Sequence, residues 1–244
     1  ANTRGFAAVT GPGASTAANP YPGGSYGGQG GVGKPPYGSC EEPTLPGSGA
    51  WTIAGGGVVW LEIAGTAVID GTITANGADG TGGSSGGGIY LTCATLAGTG
   101  GLITANGGGG WGPSGGRGGG GGRIAVVYDP EAQSALPVPG IVFQAAGGIT
   151  RQYWRVGFRS DGGWFPGYLG DIGTLYFPDN QFLRTPLIHS GQWMAPGLTE
   201  WTLDRLTMTN AWVRFPHPGF DLTVTNDIVI TGREAFRYGL QVID

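Results

Sequence analysis

Charge is scarce in this chain. Of its 244 residues only 11% are Asp, Glu, Lys or Arg, less than half of the roughly 25% usual in soluble domains. Lys34 is the single lysine, and the formal net charge is −4. With no basic run to neutralise phosphates, nucleic-acid binding is excluded as a first reading. Long apolar runs are also missing. The strongest, such as Ile124 to Tyr128, has the length of a strand, far short of the ~20 residues that span a bilayer, so no membrane insertion is expected. There are two histidines, His189 and His217, and neither has a Cys, Glu or second His at metal-ligand spacing. No cofactor is implied. Gly33-Lys34 is followed by Pro35, so the Ser or Thr of a phosphate-binding loop is lacking.

Two cysteines, Cys40 and Cys93, form an even count. Paired, they would close a long loop worth about 4 kcal/mol in the chain-entropy view and would place the protein outside the cytosol. Two buried free thiols are the other reading. The chain begins at Ala1, which fits a mature end after signal cleavage and an excised fragment equally.

What the chain has in excess is glycine, with 54 residues. Each interior glycine costs a helix about 1 kcal/mol relative to alanine, so a helix-rich fold is not expected. No strict three-residue period exists, so collagen is excluded. The glycines are uneven: residues 1–150 hold 43 of them and 11 charges, while 151–244 hold 11 glycines and 17 charges. The reading divides the chain into a glycine-rich repeat region (1–150), an aromatic-rich β segment (151–201) and short-period β rungs (202–244).

Repetition is the strongest signal. Ile73-Thr74-Ala75-Asn76-Gly77 recurs unchanged as Ile103-Thr104-Ala105-Asn106-Gly107, and Phe143 to Gly147 is a weaker copy. Gly55 to Gly57, Gly86 to Gly88 and Gly120 to Gly122 each lead into a β-branched, aromatic stretch. One such unit has too little apolar surface to fold alone and must stack on its neighbours. Alternation sends Ile73 and Ala75 to one face and Thr74 and Asn76 to the other. The expected fold is all-β: a β-solenoid, parallel β-helix-like, with glycine-rich tracts beside it. Those tracts are either loose loops or extended polyproline-II-like segments packed closely because no Cβ intervenes. Leu206 to Asn210 returns as Leu222 to Asn226, sixteen positions on, the spacing of a short rung or a hairpin pair.

Catalytic chemistry is thin. Gly-x-Ser-x-Gly patterns at 23–27, 83–87 and 112–116 lack the strand-to-helix setting of a nucleophile elbow. The carboxylate pairs Asp70 with Asp79, Asp161 with Asp171 and Asp221 with Asp227, and Arg159 beside the second pair, are the groups a polysaccharide lyase or glycoside hydrolase would use. Most of them adjoin glycine and read as turn residues. Trp154, Trp164, Trp193 and Trp201 are the residues of a carbohydrate platform, or else fill the core.

The run from Tyr37 to Gly49, then Leu61 to Gly65, Ile73 to Gly77, Gly86 to Leu91 and Gly119 to Val126, resembles the glycine-rich repeats of large bacterial surface proteins. Leu222 to Asn226, with Ile228 and Ile230, is similar to rungs of adhesin-like parallel β-helices. The resemblance covers about two thirds of the chain and carries no catalytic residue across. It implies secretion, surface display and a structural or adhesive role. The expected function is a secreted, non-catalytic module of an adhesin, matrix or self-assembling filament, at the cell surface, whose partners are copies of itself or other surface components. A carbohydrate-binding or carbohydrate-cleaving β-helix, with polysaccharide as partner, is the alternative.

Overall fold

The computed structural model describes residues 4–15, 21–111, 116–151, 169–232 and 239–242. The chain is mostly strand, and every ladder between its strands is parallel. The first repeat unit supplies β1 (Val58–Glu62), β2 (Thr66–Val68) and β3 (Thr72–Thr74). The second supplies β4 (Gly88–Thr92), β5 (Thr95–Ala97) and β6 (Leu102–Thr104). The chain continues through β7 (Gly110–Trp111), β8 (Arg123–Val127), α1 (Pro130–Ser134), β9 (Val142–Gln144) and β10 (Thr150–Arg151). It ends in β11 (Thr174–Tyr176), β12 (Gly191–Met194), β13 (Glu200–Thr209), β14 (Trp212–Phe215), β15 (Asp221–Thr231) and β16 (Gly239–Val242).

Corresponding strands of successive units lie side by side. One seven-stranded sheet runs β1-β4-β8-β11-β12-β14-β16, and a three-stranded sheet runs β3-β6-β9. The thirty-residue repeat is a physical register, with Ile73 opposite Ile103, and the weaker, more distant copy joins the same column, with Ile103 opposite Phe143. Like residues therefore stack in columns, and the inward columns make the core. Ile89, Leu91, Ile124, Val126, Leu175 and Trp193 come from the large sheet, Leu96 from β5, and Ile103 and Phe143 from the three-stranded sheet. Each fully buried side chain of this kind contributes roughly 1.5–3 kcal/mol. The large sheet and this cluster both run on past residue 150, so the shift in composition there is not a break in the core.

The sixteen-residue similarity near the end of the chain is not the pairing register. Thr202 lies opposite Thr223 and Leu206 opposite Ile228, with an irregularity between Leu203 and Arg205. The spacing is set by the path through β14, which joins the other sheet, and by the extra residue of the bulge.

The helix α1 fills the longer third unit. Asp129 Oδ1 accepts the N–H groups of Glu131 and Ala132, and Pro130 follows the cap, a sound start for a short helix.

The glycine segments among the described residues are hydrogen-bonded to their neighbours. In the segment 118–122 the N–H of Gly119 donates to Gly108 O (2.8 Å), that of Gly120 to Gly24 O (2.9 Å) and that of Gly121 to Asp171 O (2.9 Å). Gly122 returns to the first neighbour, donating to Ala105 O (2.6 Å). The carbonyls of Gly119, Gly120 and Gly121 accept from Gly148, Gly86 and Gly28. Each residue turns by a third of a revolution to meet a different neighbouring segment. The same period governs the contacts. A Cβ on Gly118 or Gly121 would lie 1.9 or 2.0 Å from the carbonyls of Gly148 or Ala145, and one on Gly119 or Gly122 2.0 or 2.1 Å from those of Ser84 or Gly87. Only glycine allows backbones to approach this closely. The buried backbone groups are thereby satisfied without a sheet.

Candidate functional site

Of the four tryptophans named either for a carbohydrate platform or for the core, Trp193 and Trp201 lie in the described residues and both pack on the core. Trp193 is completely buried, its ring stacked on Phe177 at 4.7 Å and tilted against His189 at 5.8 Å. On β12 it shares the inward parity with Gly191, while Gln192 and Met194 point out. Trp201 is half-buried and packs on the core 6.0 Å from Phe215. Trp154 and Trp164 lie outside the described residues. Among the described residues the exposed tryptophans are Trp51, Trp60 and Trp111.

Cys40 and Cys93 are free thiols, which overturns the expected disulfide. Cys93 follows β4 on the core side, where burial pushes its thiol up. Cys40 lies in a segment whose charges act on Arg123 and Tyr176.

The carboxylates brace the fold. Asp171 takes both guanidinium nitrogens of Arg214, at 2.6 and 2.7 Å. Asp227 pairs with Arg205 at 2.6 Å. Asp70 Oδ1 accepts the N–H of Thr99, which holds its carboxyl below the ordinary range. Asp161 and Arg159 lie outside the described residues. Arg123 is buried and donates to the carbonyls of Tyr37 and Tyr26 and to Thr174 Oγ1. Burial pushes its pKa down and raises that of Tyr37 to about 12. His189 is held neutral in the core, its Nδ1 accepting the N–H of Phe143 at 3.2 Å and its pKa depressed by burial to about 4.

A groove does form on the flank where the three-stranded sheet meets the glycine segments. It grows out of the repeat. Thr74, Thr104 and Gln144 are stacked in register, and Ser190 continues the row beside Gln144. Next to it runs a ladder of side-chain carbonyls. Asn76 Oδ1 accepts the N–H of Asn106 (2.7 Å), and Asn106 Oδ1 accepts that of Ala146 (2.8 Å). Asp79 Oδ1 accepts the N–H of Gly109 (2.6 Å). Successive units are thus pinned together by short polar side chains. Trp212, at the start of β14, closes the groove, its backbone N–H donating to Ser190 Oγ at 3.2 Å. The cavity measures about 270 Å³, near the lower limit of roughly 300 Å³ for small-molecule sites. Among the described residues, Asp79 is its single charged lining residue.

The sequence marked Asn106 as part of a repeat and Asp79 as half of a carboxylate pair. It gave no sign that Gln144 and Trp212 line one groove, because that depends on stacking units of unequal length.

Comparison with protein-family models, with curated proteins and with solved structures gives no match. No helix among the described residues is long and apolar enough to cross a membrane.

Proposed function

We propose that this chain is a secreted, non-catalytic structural module of a cell-surface adhesin, matrix or filament. In this reading it is a β-solenoid braced by a bundle of polyproline-II-like glycine segments, and it associates with copies of itself.

The observation that carries the reading is how the columns end at β15. Leu206 and Met208 on β13 are fully buried, and their in-register partners on β15 are Ile228 and Ile230. Those partners are 57% and 45% exposed, and Val229 between them is 44% exposed. The sheet of β13 and β15 has no third strand among the described residues. An open strand edge with apolar side chains is a template for another strand. One further parallel strand in the same register would cover Ile228 and Ile230 as they cover Leu206 and Met208. By contrast, the backbone of β5 is met by a side chain of α1. A contact of one edge with a different edge of the next copy is head-to-tail and propagates.

Sedimentation velocity and negative-stain electron microscopy across a concentration series test this directly. Growth into rods or fibres with rising concentration is the expected result. A monomer at the highest attainable concentration would overturn it.

A further inference from the structure

We infer that the outward face of the large sheet, along the row of Trp60, Tyr90 and Tyr176, is a docking surface for an extended peptide segment carrying arginine or lysine. The surface uses β1, β4 and β11 and not β15, so this reading and the assembly reading can fail separately.

The row follows from the register. Ile89, Leu91, Ile124, Val126, Leu175 and Trp193 turn inward from this sheet, so alternation sends the residues between them outward. Trp60 lies opposite Tyr90, Tyr90 opposite Ala125, Ala125 opposite Tyr176, and Tyr176 opposite Met194. Adjacent strands thus carry one outward row, about 19 Å long at roughly 4.8 Å between strands. Trp60 is 38% exposed, and Tyr90 and Tyr176 are half-buried.

Carboxylates are fixed beside the row. The segment 37–46 is fastened across the start of the same strands. Arg123 Nη2 donates to Tyr37 O at 2.8 Å, and Tyr37 Oη donates to Pro46 O at 2.8 Å. A Cβ on Gly88 would lie 2.6 Å from Pro43 O. Within the segment Ser39 Oγ accepts the N–H groups of Glu41 and Glu42, both at 3.1 Å, and both glutamates are exposed. Glu62, also exposed, lies two residues past Trp60 on the same side of β1. The negative charge reaches the rings. Burial, then Glu42 and Glu62, push the Tyr90 hydroxyl up, and burial, then Glu41, do the same at Tyr176.

This combination selects a cation. A positive group over an aromatic face is attracted by the ring quadrupole, most strongly by tryptophan. Arginine and lysine lay their apolar stems on such a surface while their charged heads reach outward, here to Glu41, Glu42 and Glu62. The rings select a peptide over a cationic sugar. Trp60 and Tyr90 stand 4.8 Å apart at 61°, so they share no plane on which one rigid pyranose could rest, whereas flexible side chains reach each face separately. An extended strand advances about 3.3 Å per residue and sends alternate side chains to one face, so about six residues run the length of the row.

The test is isothermal titration of the whole chain, with tryptophan fluorescence, against a capped hexapeptide of alternating arginine and threonine. The comparison ligands are the same peptide with glutamate for arginine, a glucosamine hexamer and cellohexaose. We expect the basic peptide to bind with a submillimolar dissociation constant at low salt, and more tightly than any comparison ligand. The double variant Glu42→Gln with Glu62→Gln should weaken that binding at least fivefold, and Trp60→Leu at least threefold. Glu200→Gln, an exposed glutamate on β13, should leave it unchanged, which separates this face from attraction to the net charge of the molecule. Circular dichroism checks that each variant folds. No binding of the basic peptide, equal or tighter binding of either sugar, unchanged affinity in the folded double variant, or an equal loss in Glu200→Gln would each overturn the proposal.

Discussion

Gln133 and Leu96 exchange two hydrogen bonds. Gln133 Oε1 accepts the N–H of Leu96 at 2.7 Å, and Gln133 Nε2 donates to the Leu96 carbonyl at 3.2 Å. The glutamine is 1% exposed and Leu96 is wholly buried. A side chain of α1 therefore completes the backbone of β5 where a third strand would otherwise sit. Removing it leaves a buried donor and acceptor without partners, at about 1–3 kcal/mol for such a group. Gln133→Ala should lower the unfolding free energy by at least that amount in a denaturant titration. Gln133→Glu, which keeps the acceptor and loses the donor, should also destabilise.

The glycine lattice predicts sharply position-dependent effects. A Cβ at residue 119 would lie 2.0 Å from Ser84 O, with the backbone carbon at 2.4 Å. No rotamer relieves a clash between a Cβ and a neighbouring backbone, so Gly119→Ala should cost several kcal/mol, above the roughly 0.5–3 kcal/mol of ordinary substitutions. Nothing lies within 4 Å of the corresponding atom at Gly100, and its φ is not in the left-handed region. Gly100→Ala should be neutral, or stabilising by about 0.4–1 kcal/mol through the unfolded chain. Thermal melting of the pair is decisive: equal effects at the two sites would contradict the lattice.

His189 gives the molecule an acid sensitivity with a defined window. Burial lowers its pKa from 6.5 to about 4, so between those values the unfolded chain takes up a proton that the folded chain refuses. Stability then rises with pH across the window. At about 1.4 kcal/mol per pKa unit the loss on acidification from pH 6.5 to 4 is roughly 3 kcal/mol. Replacing the histidine by glutamine should flatten the pH dependence within that window, even if it lowers stability throughout. Denaturant titrations of both proteins at half-unit steps would show it.

Much of this architecture is written locally. Ile73 and Ile103 share a pentapeptide and stand opposite each other, because stacking like on like is how a repeat buries its apolar face. The glycine lattice is legible only as repetition. Its threefold order rests on partners such as Gly24, Gly108 and Asp171 around one segment, which no local pattern names. Helix α1 carries a helix-start signature in Asp129-Pro130-Glu131, but its five residues are too few to show a helical period. Trp193 could have been placed inward by its parity with Leu175 opposite it, but the aromatic density around it hid the alternation. The even cysteine count said nothing of geometry, and the two thiols are not paired. Gln144 and Trp212 come to line one groove only once the units are stacked.

The β15 edge yields the most direct test of assembly. Ile228 and Ile230 extend the columns of Leu206 and Met208, and their outer side faces solvent. Burying an isoleucine is worth about 1.5–3 kcal/mol, so two of them give a docking copy a substantial apolar term beyond the backbone bonds of a strand edge. Lysine at an edge is the usual means of blocking such pairing. The double variant Ile228→Lys with Ile230→Lys should shift the onset of association to at least tenfold higher concentration. Its melting temperature as a monomer should stay within a few degrees of the parent, because both side chains are already about half exposed. Fluorescence-detected sedimentation of the two proteins over the same concentration range provides the comparison. Association that survives both lysines unchanged would show that copies meet elsewhere, and the exposed columns would then need another explanation.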